Sequence, residues 1–175
     1  MIKPLVIQPG EEEVVGELNQ RHREILGQRR IASVATVGPD GGPHLTATWF
    51  LFEGDVFLLA VPSSSVKARN LRENPRIAVM VDVRQAGQEL GVSASGVAEV
   101  LEGQAAREAA GRVHAKYLTG EALADGDVGP AFAAFDDLAI RLEPERWITW
   151  DMSELDRQAF GGKLAARSYL RSIRA

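Results

Sequence analysis

The chain has 175 residues, 45% hydrophobic and 25% charged, with a net charge of −4 and no cysteine. That length suits one domain, residues 1–175, with its own core, and that composition excludes a disordered or low-complexity chain. Disulfides, thiolate metal sites and cysteine nucleophiles are excluded outright, and a negative chain is a poor coat for nucleic acid. No run reaches the roughly 18 apolar residues of a membrane span, and Met1-Ile2-Lys3-Pro4 is followed by acids, not by the apolar region of a signal peptide, so a cytoplasmic protein is expected.

In chain order, Glu11 to Gln28 sets Val14, Val15, Leu18, Ile25 and Leu26 near helical spacing behind Glu11 to Glu13, which predicts an amphipathic N-terminal helix over about 11–28. Ile31 to Val37 is a β-rich run that stops at Gly38-Pro39-Asp40-Gly41-Gly42, a hairpin turn. Its partner, Pro43 to Phe52, alternates His44, Thr46 and Thr48 with Leu45, Ala47 and Trp49, so a polar face that can line a site opposes an apolar one, with Trp49 expected inside the barrel. Val56 to Val61 reads as a strand buried on both faces, and Ser63-Ser64-Ser65 then precedes a short helix, Val66 to Glu73, that Asn74-Pro75 ends.

Arg76 to Arg84 and Val92 to Leu101 are two further strands, Gln104 to Leu118 a helix, and Thr119 to Pro130 a long loop rich in Gly and Asp. Leu138 to Leu142 and Arg146 to Asp151 supply the last strands, and a helical, exposed C-terminal tail over about 153–175 begins at Ser153. Arg157, Lys163, Arg167, Arg171 and Arg174 make that tail basic, while Glu121, Asp125, Asp127, Asp136 and Asp137 make the loop acidic; both read as solvated segments. Many short strands joined as hairpins, with few helices, predict an antiparallel barrel in place of a doubly wound sheet.

No nucleophile elbow, phosphate loop, dinucleotide turn or zinc helix is present. His22, His44 and His114 are scattered without carboxylates at ligand spacing, so no metal site is expected; His22 and His114 read as surface or interface residues. The informative block is Ser63 to Arg76, SSSVKARNLRENPR: hydroxyls, the free N–H groups of a helix start, and cations at Lys67 and Arg69 suit a phosphate or polyanionic tail. The same block suits a capped surface helix with solvated cations.

The order of strand, Asp-Gly hairpin, tryptophan-containing strand, apolar strand and then Ser65-x-Lys67-x-Arg69-Asn70-Leu71-Arg72-x-Asn74-Pro75-Arg76 resembles the pyridoxamine 5′-phosphate oxidase-like split barrels, over about 120 residues ending near Asp151. The resemblance implies a mainly β fold, a six-stranded antiparallel split β-barrel of the FMN-binding type with added helices. It implies a homodimer with two cofactor sites at the subunit interface, acting on a small-molecule substrate with neither nucleic acid nor membrane as partner.

By the family's pattern Leu45, Thr46, Ala47 and Thr48 lie along the flavin ring, Leu59 and Ala60 beside it, and Ser65 and Lys67 on the phosphate, with Arg69 a weaker phosphate contact. Trp147 sits where members bring a partner-chain aromatic or cation towards the ring; Trp147 and Trp150 equally suit core or interface anchors. The family's C-terminal arginine and histidine pattern for pyridoxal phosphate is missing, so the vitamin substrate is not carried over. The implied activity is an FMN-dependent oxidoreductase with no catalytic side chain assigned. The alternatives are a reductase using the deazaflavin coenzyme F-420 on the same fold, a non-catalytic flavin- or haem-binding module, and an interaction protein with an empty cleft.

Overall fold

The computed structural model describes residues 17–166, together with 169 and 171. Helix α1 runs from Gln20 to Gly27, shorter than the expected helix over 11–28: residues 17–19 are irregular, and 11–16 lie outside the described residues. Its start is set by Asn19, whose side chain accepts from His22 N while His22 Nδ1 accepts from Asn19 N, a reciprocal cap that satisfies two otherwise free donors. His22 is therefore buried and not a surface residue, a correction that follows from its capping role.

Strand β1 (Ala32–Val37) alternates strictly, with Ala32, Val34 and Thr36 buried. It pairs with β2 (Pro43–Thr48) across the Gly38–Gly42 turn. The run expected as one strand breaks at Trp49, so that β3 (Phe50–Glu53) pairs instead with β4 (Val56–Pro62). Gly54 and Asp55 between them both have positive φ, the type I′ geometry whose twist matches a two-residue hairpin. Helix α2 (Val66–Glu73) has the predicted bounds, capped by Ser65 Oγ accepting from Ala68 N.

Strands β5 (Arg76–Val83) and β6 (Leu90–Leu101) follow, then α3 (Gly103–Tyr117), α4 (Gly120–Ala124), α5 (Val128–Ala133), β7 (Asp137–Leu142), β8 (Arg146–Asp151), α6 (Met152–Phe160) and α7 (Lys163–Ala166). The segment expected as a loop over Thr119 to Pro130 thus contains α4 and begins α5. The first of these starts because Thr119 Oγ1 accepts from Ala122 N, a cap signal inside a Gly-rich stretch. The C-terminal helix begins at Met152 and not at Ser153, because Asp151 Oδ1 accepts from Ser153 N and Glu154 N. The tail is helical over α6 and α7; of residues 167–175 only 169 and 171 are described.

All pairings are antiparallel, in the order β2-β1-β5-β6-β7-β4-β3. The two ends of that order, β2 and β3, are joined by Trp49 alone, so they are halves of one bent strand and the path closes into a six-stranded barrel. Strand β8 continues β7 along the same edge of β6, which is long enough to pair with β5 over Leu90–Val97 on its other edge. The barrel is open on one side. Beyond Trp49, β3 is fully laddered to β4, whereas among the described residues β2 pairs only with β1, and a single bond from Thr48 Oγ1 to the Ala60 carbonyl, 3.3 Å, bridges the gap.

The interior is packed by Val34, Phe50, Phe57, Leu59, Val79, Val92, Ile140 and Leu142, with Ile25 and Leu26 of α1 and Ala68 and Leu71 of α2 completing it. Trp147 joins this core, its ring 5.9 Å from Phe57 and edge-on to Phe52 at 6.0 Å. Trp150 lies over Gly91, where an added Cβ would meet its ring at 1.9 Å; only glycine allows that approach. A second cluster lies outside the barrel, where Ala106, Ala109 and Val113 of α3 cover Leu58 and Ala139. Trp49 belongs here and not inside the barrel as expected, because the bend at β2–β3 turns it outward to stack on Tyr117 at 4.7 Å.

Lys116 ties α3 to α1 by donating to the Leu26 carbonyl at 3.1 Å, its Nζ 3.9 Å from the Phe50 ring centroid. Burial lowers its pKa from 10.5 to about 8, against a raising pull from Glu53. The folded value lies below the unfolded one, so between about pH 8 and 10.5 the unfolded chain binds more protons and stability rises with pH. The melting temperature is expected to climb between pH 8 and 10 in the wild type and to climb less in Lys116→Met. Parallel pH profiles of the two proteins would refute this assignment.

Candidate functional site

The opening of the barrel is flanked by β2, the end of β4 and α2. Cross-strand register decides which side chains face it: Thr48 pairs with Ala32, Thr46 with Val34 and His44 with Thr36, so the polar face of β2 shares the inward side of β1. His44, Thr46 and Thr48 are half-buried, while Leu45, 69% exposed, and Ala47 face outward. This inverts the usual arrangement of an edge strand, whose apolar side is ordinarily covered. His44 Nδ1 and Thr46 Oγ1 are buried with no hydrogen-bond partner among the described residues, and polar atoms so placed normally have one. On β4, Leu59 is fully buried, points into the core and is laddered to Phe50 and Ile140 on its two edges, while Ala60 is half-buried opposite Thr48 and turns its carbonyl towards the opening.

Helix α2 is fixed against this opening by Asn70 Nδ2 donating to Thr36 Oγ1 at 3.0 Å, both residues buried. Lys67, three residues before Asn70, lies on the same helix face. It is only 8% exposed, burial alone pushes its ammonium below the ordinary lysine value, and no ion pair or hydrogen bond joins it to any described residue. The stem is covered while Nζ itself reaches solvent, since the buried side-chain atoms without a partner among the described residues belong to His22, His44, Thr46 and Glu89. Ser65 at the same helix start spends its Oγ on the cap and leaves its hydroxyl proton to donate. Arg69, two residues past Lys67 and so roughly 200° around the helix, is exposed; Lys67 and Arg69 therefore do not converge on one point. Trp147 packs on Phe52 and Phe57 within its own chain, on the barrel interior.

The opening thus offers, at a helix start, a cation with a covered stem and no partner among the described residues, a strand whose outward side chains are small or apolar, and orphaned polar atoms beneath them. This donor set fits a phosphate attached to a flat ring. The sequence model of the pyridoxamine 5′-phosphate oxidase family matches residues 18–151. The chain belongs to that family. Pyridoxamine 5′-phosphate oxidase-like proteins bind flavin-type cofactors and are commonly dimeric.

Among solved structures, a conserved hypothetical protein from Mycobacterium tuberculosis is 26% identical, with a TM-score of 0.67 over 83% of this chain and 92% of that one. An F420 reductase at 24% identity has a TM-score of 0.54 over 74% of this chain and 98% of its own. The haem storage protein HutZ from Vibrio cholerae, 18% identical, has a TM-score of 0.59 over 78% and 95%. The last two likenesses show the shared split-barrel fold. No curated protein matches the sequence. No described helix is long and apolar enough to cross a membrane.

The sequence reading missed one cluster altogether. His114, expected at the surface or an interface, is buried within the chain on α3 with Nε2 3.3 Å from Asp137 Oδ2. Burial lowers the histidine pKa against the pull of Asp137, and burial raises that of Asp137. Asp137 is the last acid of what reads as a solvated acidic loop; the signal was its position at the first residue of β7, where the chain turns back under α3.

Proposed function

We propose that this chain, as one split-barrel domain forming a cytoplasmic homodimer, is an FMN-dependent oxidoreductase acting on a small molecule, with the cofactor at the subunit interface. Lys67 carries the proposal: its stem is covered while its ammonium reaches the opening with no counter-charge among the described residues, and the phosphate of FMN would supply that charge. Ser65 would add a hydroxyl donor at the same helix start. Leu45, Thr46, Ala47 and Thr48 would form the strand along the ring, with Ala60 across from it and the Leu59 side chain in the core behind. Arg69 would act from outside, as long-range charge.

FMN supplies reversible hydride or electron transfer at its ring. The chain's own part is to orient the ring along β2, hold its phosphate, and exclude water through the partner copy seated on the outward Leu45 and Ala47 face. Trp147, packed on its own core, contributes rigidity behind β8.

Coenzyme F-420 is the alternative, because its phosphate-bearing tail presents the same charge to Lys67. Titration of the purified protein with FMN and with the deazaflavin, followed by absorbance and fluorescence, tests the reading. Saturable FMN binding, then anaerobic reduction and reoxidation by an acceptor, is expected. Binding of the deazaflavin alone selects the alternative; binding without turnover with any acceptor marks a carrier module; no binding of either refutes the assignment.

A further inference from the structure

A cavity of about 290 Å³ lies on the far side of α3 from the barrel, between that helix and the α4–α5 segment. Arg107, Ala110, Gly111 and His114 line one wall, the i, i+3 and i+4 spacing of a single helix face. Leu123, Phe132 and Phe135 close the other side, and Asp137 lies at its floor against His114. The cavity shares no residue with the β2 strip or with Lys67 and Ser65.

Its chemistry is specific. Phe132 sits edge-on to His114 at 5.1 Å and to Phe135 at 5.0 Å, so three rings form a corner of aromatic edges and faces, and such rings favour offset or edge contacts with another ring. Arg107 is exposed, with no ion pair or hydrogen bond to any described residue. A cavity of about 150 Å³ accommodates benzene, so this one has room for a single ring with substituents. The polar groups are a guanidinium, which pairs best with a planar carboxylate, and the His114–Asp137 pair, which can accept from or donate to a hydroxyl.

We propose that the α3–α5 cavity binds a monocyclic aromatic carboxylate bearing a ring hydroxyl. The ring packs in the Phe132–Phe135–His114 corner, the carboxylate meets Arg107, and the hydroxyl reaches the His114–Asp137 pair. Trp49, stacked 6.2 Å from Phe132 and edge-on to His114 at 6.2 Å, adjoins the site and reports its occupancy. The proposal does not depend on the flavin reading, since neither Lys67 nor the β2 strip takes part.

The probe is 4-hydroxybenzoate, titrated into the full chain without flavin by calorimetry and by tryptophan fluorescence, with phenol as the uncharged comparison. Saturable one-to-one binding is expected. Arg107→Gln should weaken 4-hydroxybenzoate by roughly ten- to a hundredfold, as loss of a charge-assisted bond predicts, and leave phenol within about twofold. Gly111→Leu should abolish both, because an added side chain on that helix face enters open space, with nothing within 4 Å of the new Cβ. Replacing a helical glycine also favours folding, so a melting temperature no lower than that of the wild type is expected alongside that loss. Absence of saturation in the wild type, binding in Gly111→Leu equal to wild type, or an equal effect of Arg107→Gln on the two probes would each overturn the proposal.

Discussion

Phe57→Ala is expected to cost about 3–5 kcal/mol, read as a lowered denaturation midpoint with an unchanged slope. Phe57 is fully buried and pairs in register with Phe52 on one side and Leu142 on the other, so its ring touches both strands that flank β4. The Phe50 and Phe52 rings lie 5.8 and 4.8 Å away and Trp147 5.9 Å, which makes Phe57 the common contact of the aromatic cluster. Closure of the barrel depends on this region, because β3–β4 pairing is where the bent β2–β3 strand returns to the sheet. Truncation leaves a cavity that the rigid ladders on both sides cannot collapse around, and against a typical total of about 5–15 kcal/mol the loss is large. A cost below about 1 kcal/mol would mean that the cluster is not the centre of the core.

Lys67→Met is expected to act in opposite directions on two measurements. Without cofactor the variant should melt at a higher temperature than the wild type. Burial depresses the folded-state pKa of Lys67 below its unfolded value, so at neutral pH, below both values, the folded chain carries a partly desolvated charge; methionine keeps the stem and removes that charge. FMN affinity, on the proposed reading, should fall by roughly tenfold to more than a hundredfold, the worth of about 1.5–3 kcal/mol for a charge-assisted hydrogen bond. A lysine with no part in phosphate binding would show the gain in melting temperature without the loss of affinity. Unchanged FMN affinity in a folded variant would remove Lys67 from the phosphate site, whatever the effect on melting.

How far the sequence reaches can be judged element by element. Helix α2 was legible to the residue because its signals are local: Ser65 to cap it, Asn74-Pro75 to end it. The positions of most strands along the chain were legible because alternation in β1 and unbroken apolarity in β4 report one covered face and two. The break at Trp49 was not, since Pro43 to Phe52 alternates without interruption and only the competing demands of β1 and β4 for the same strand bend it there. Its outward turn, which moves Trp49 from the expected interior to the α3 interface, follows from that bend. Helices α4 and α5 were hidden by glycines and acids that favour a loop until α3 supplies a surface to pack on.

The fate of the charged and polar residues shows the same division. Lys67 and Arg69 look equivalent along the chain, and helical geometry separates them by more than half a turn, so that one is buried and the other exposed. His22 and His114 read as surface or interface residues because a histidine carries no periodic signal of its own. One is consumed by a cap and the other meets Asp137, 23 positions away in sequence. By itself the sequence determined the antiparallel barrel, the helix that opens with Ser65, and membership of a flavin-binding family, since each is written in short-range pattern. Only the tertiary structure decided that the polar side of β2 turns inward, that Lys67 has no counter-charge among the described residues, and that a second cavity stands behind α3. These depend on register, helical phase and contacts between distant segments, which a one-dimensional pattern does not carry.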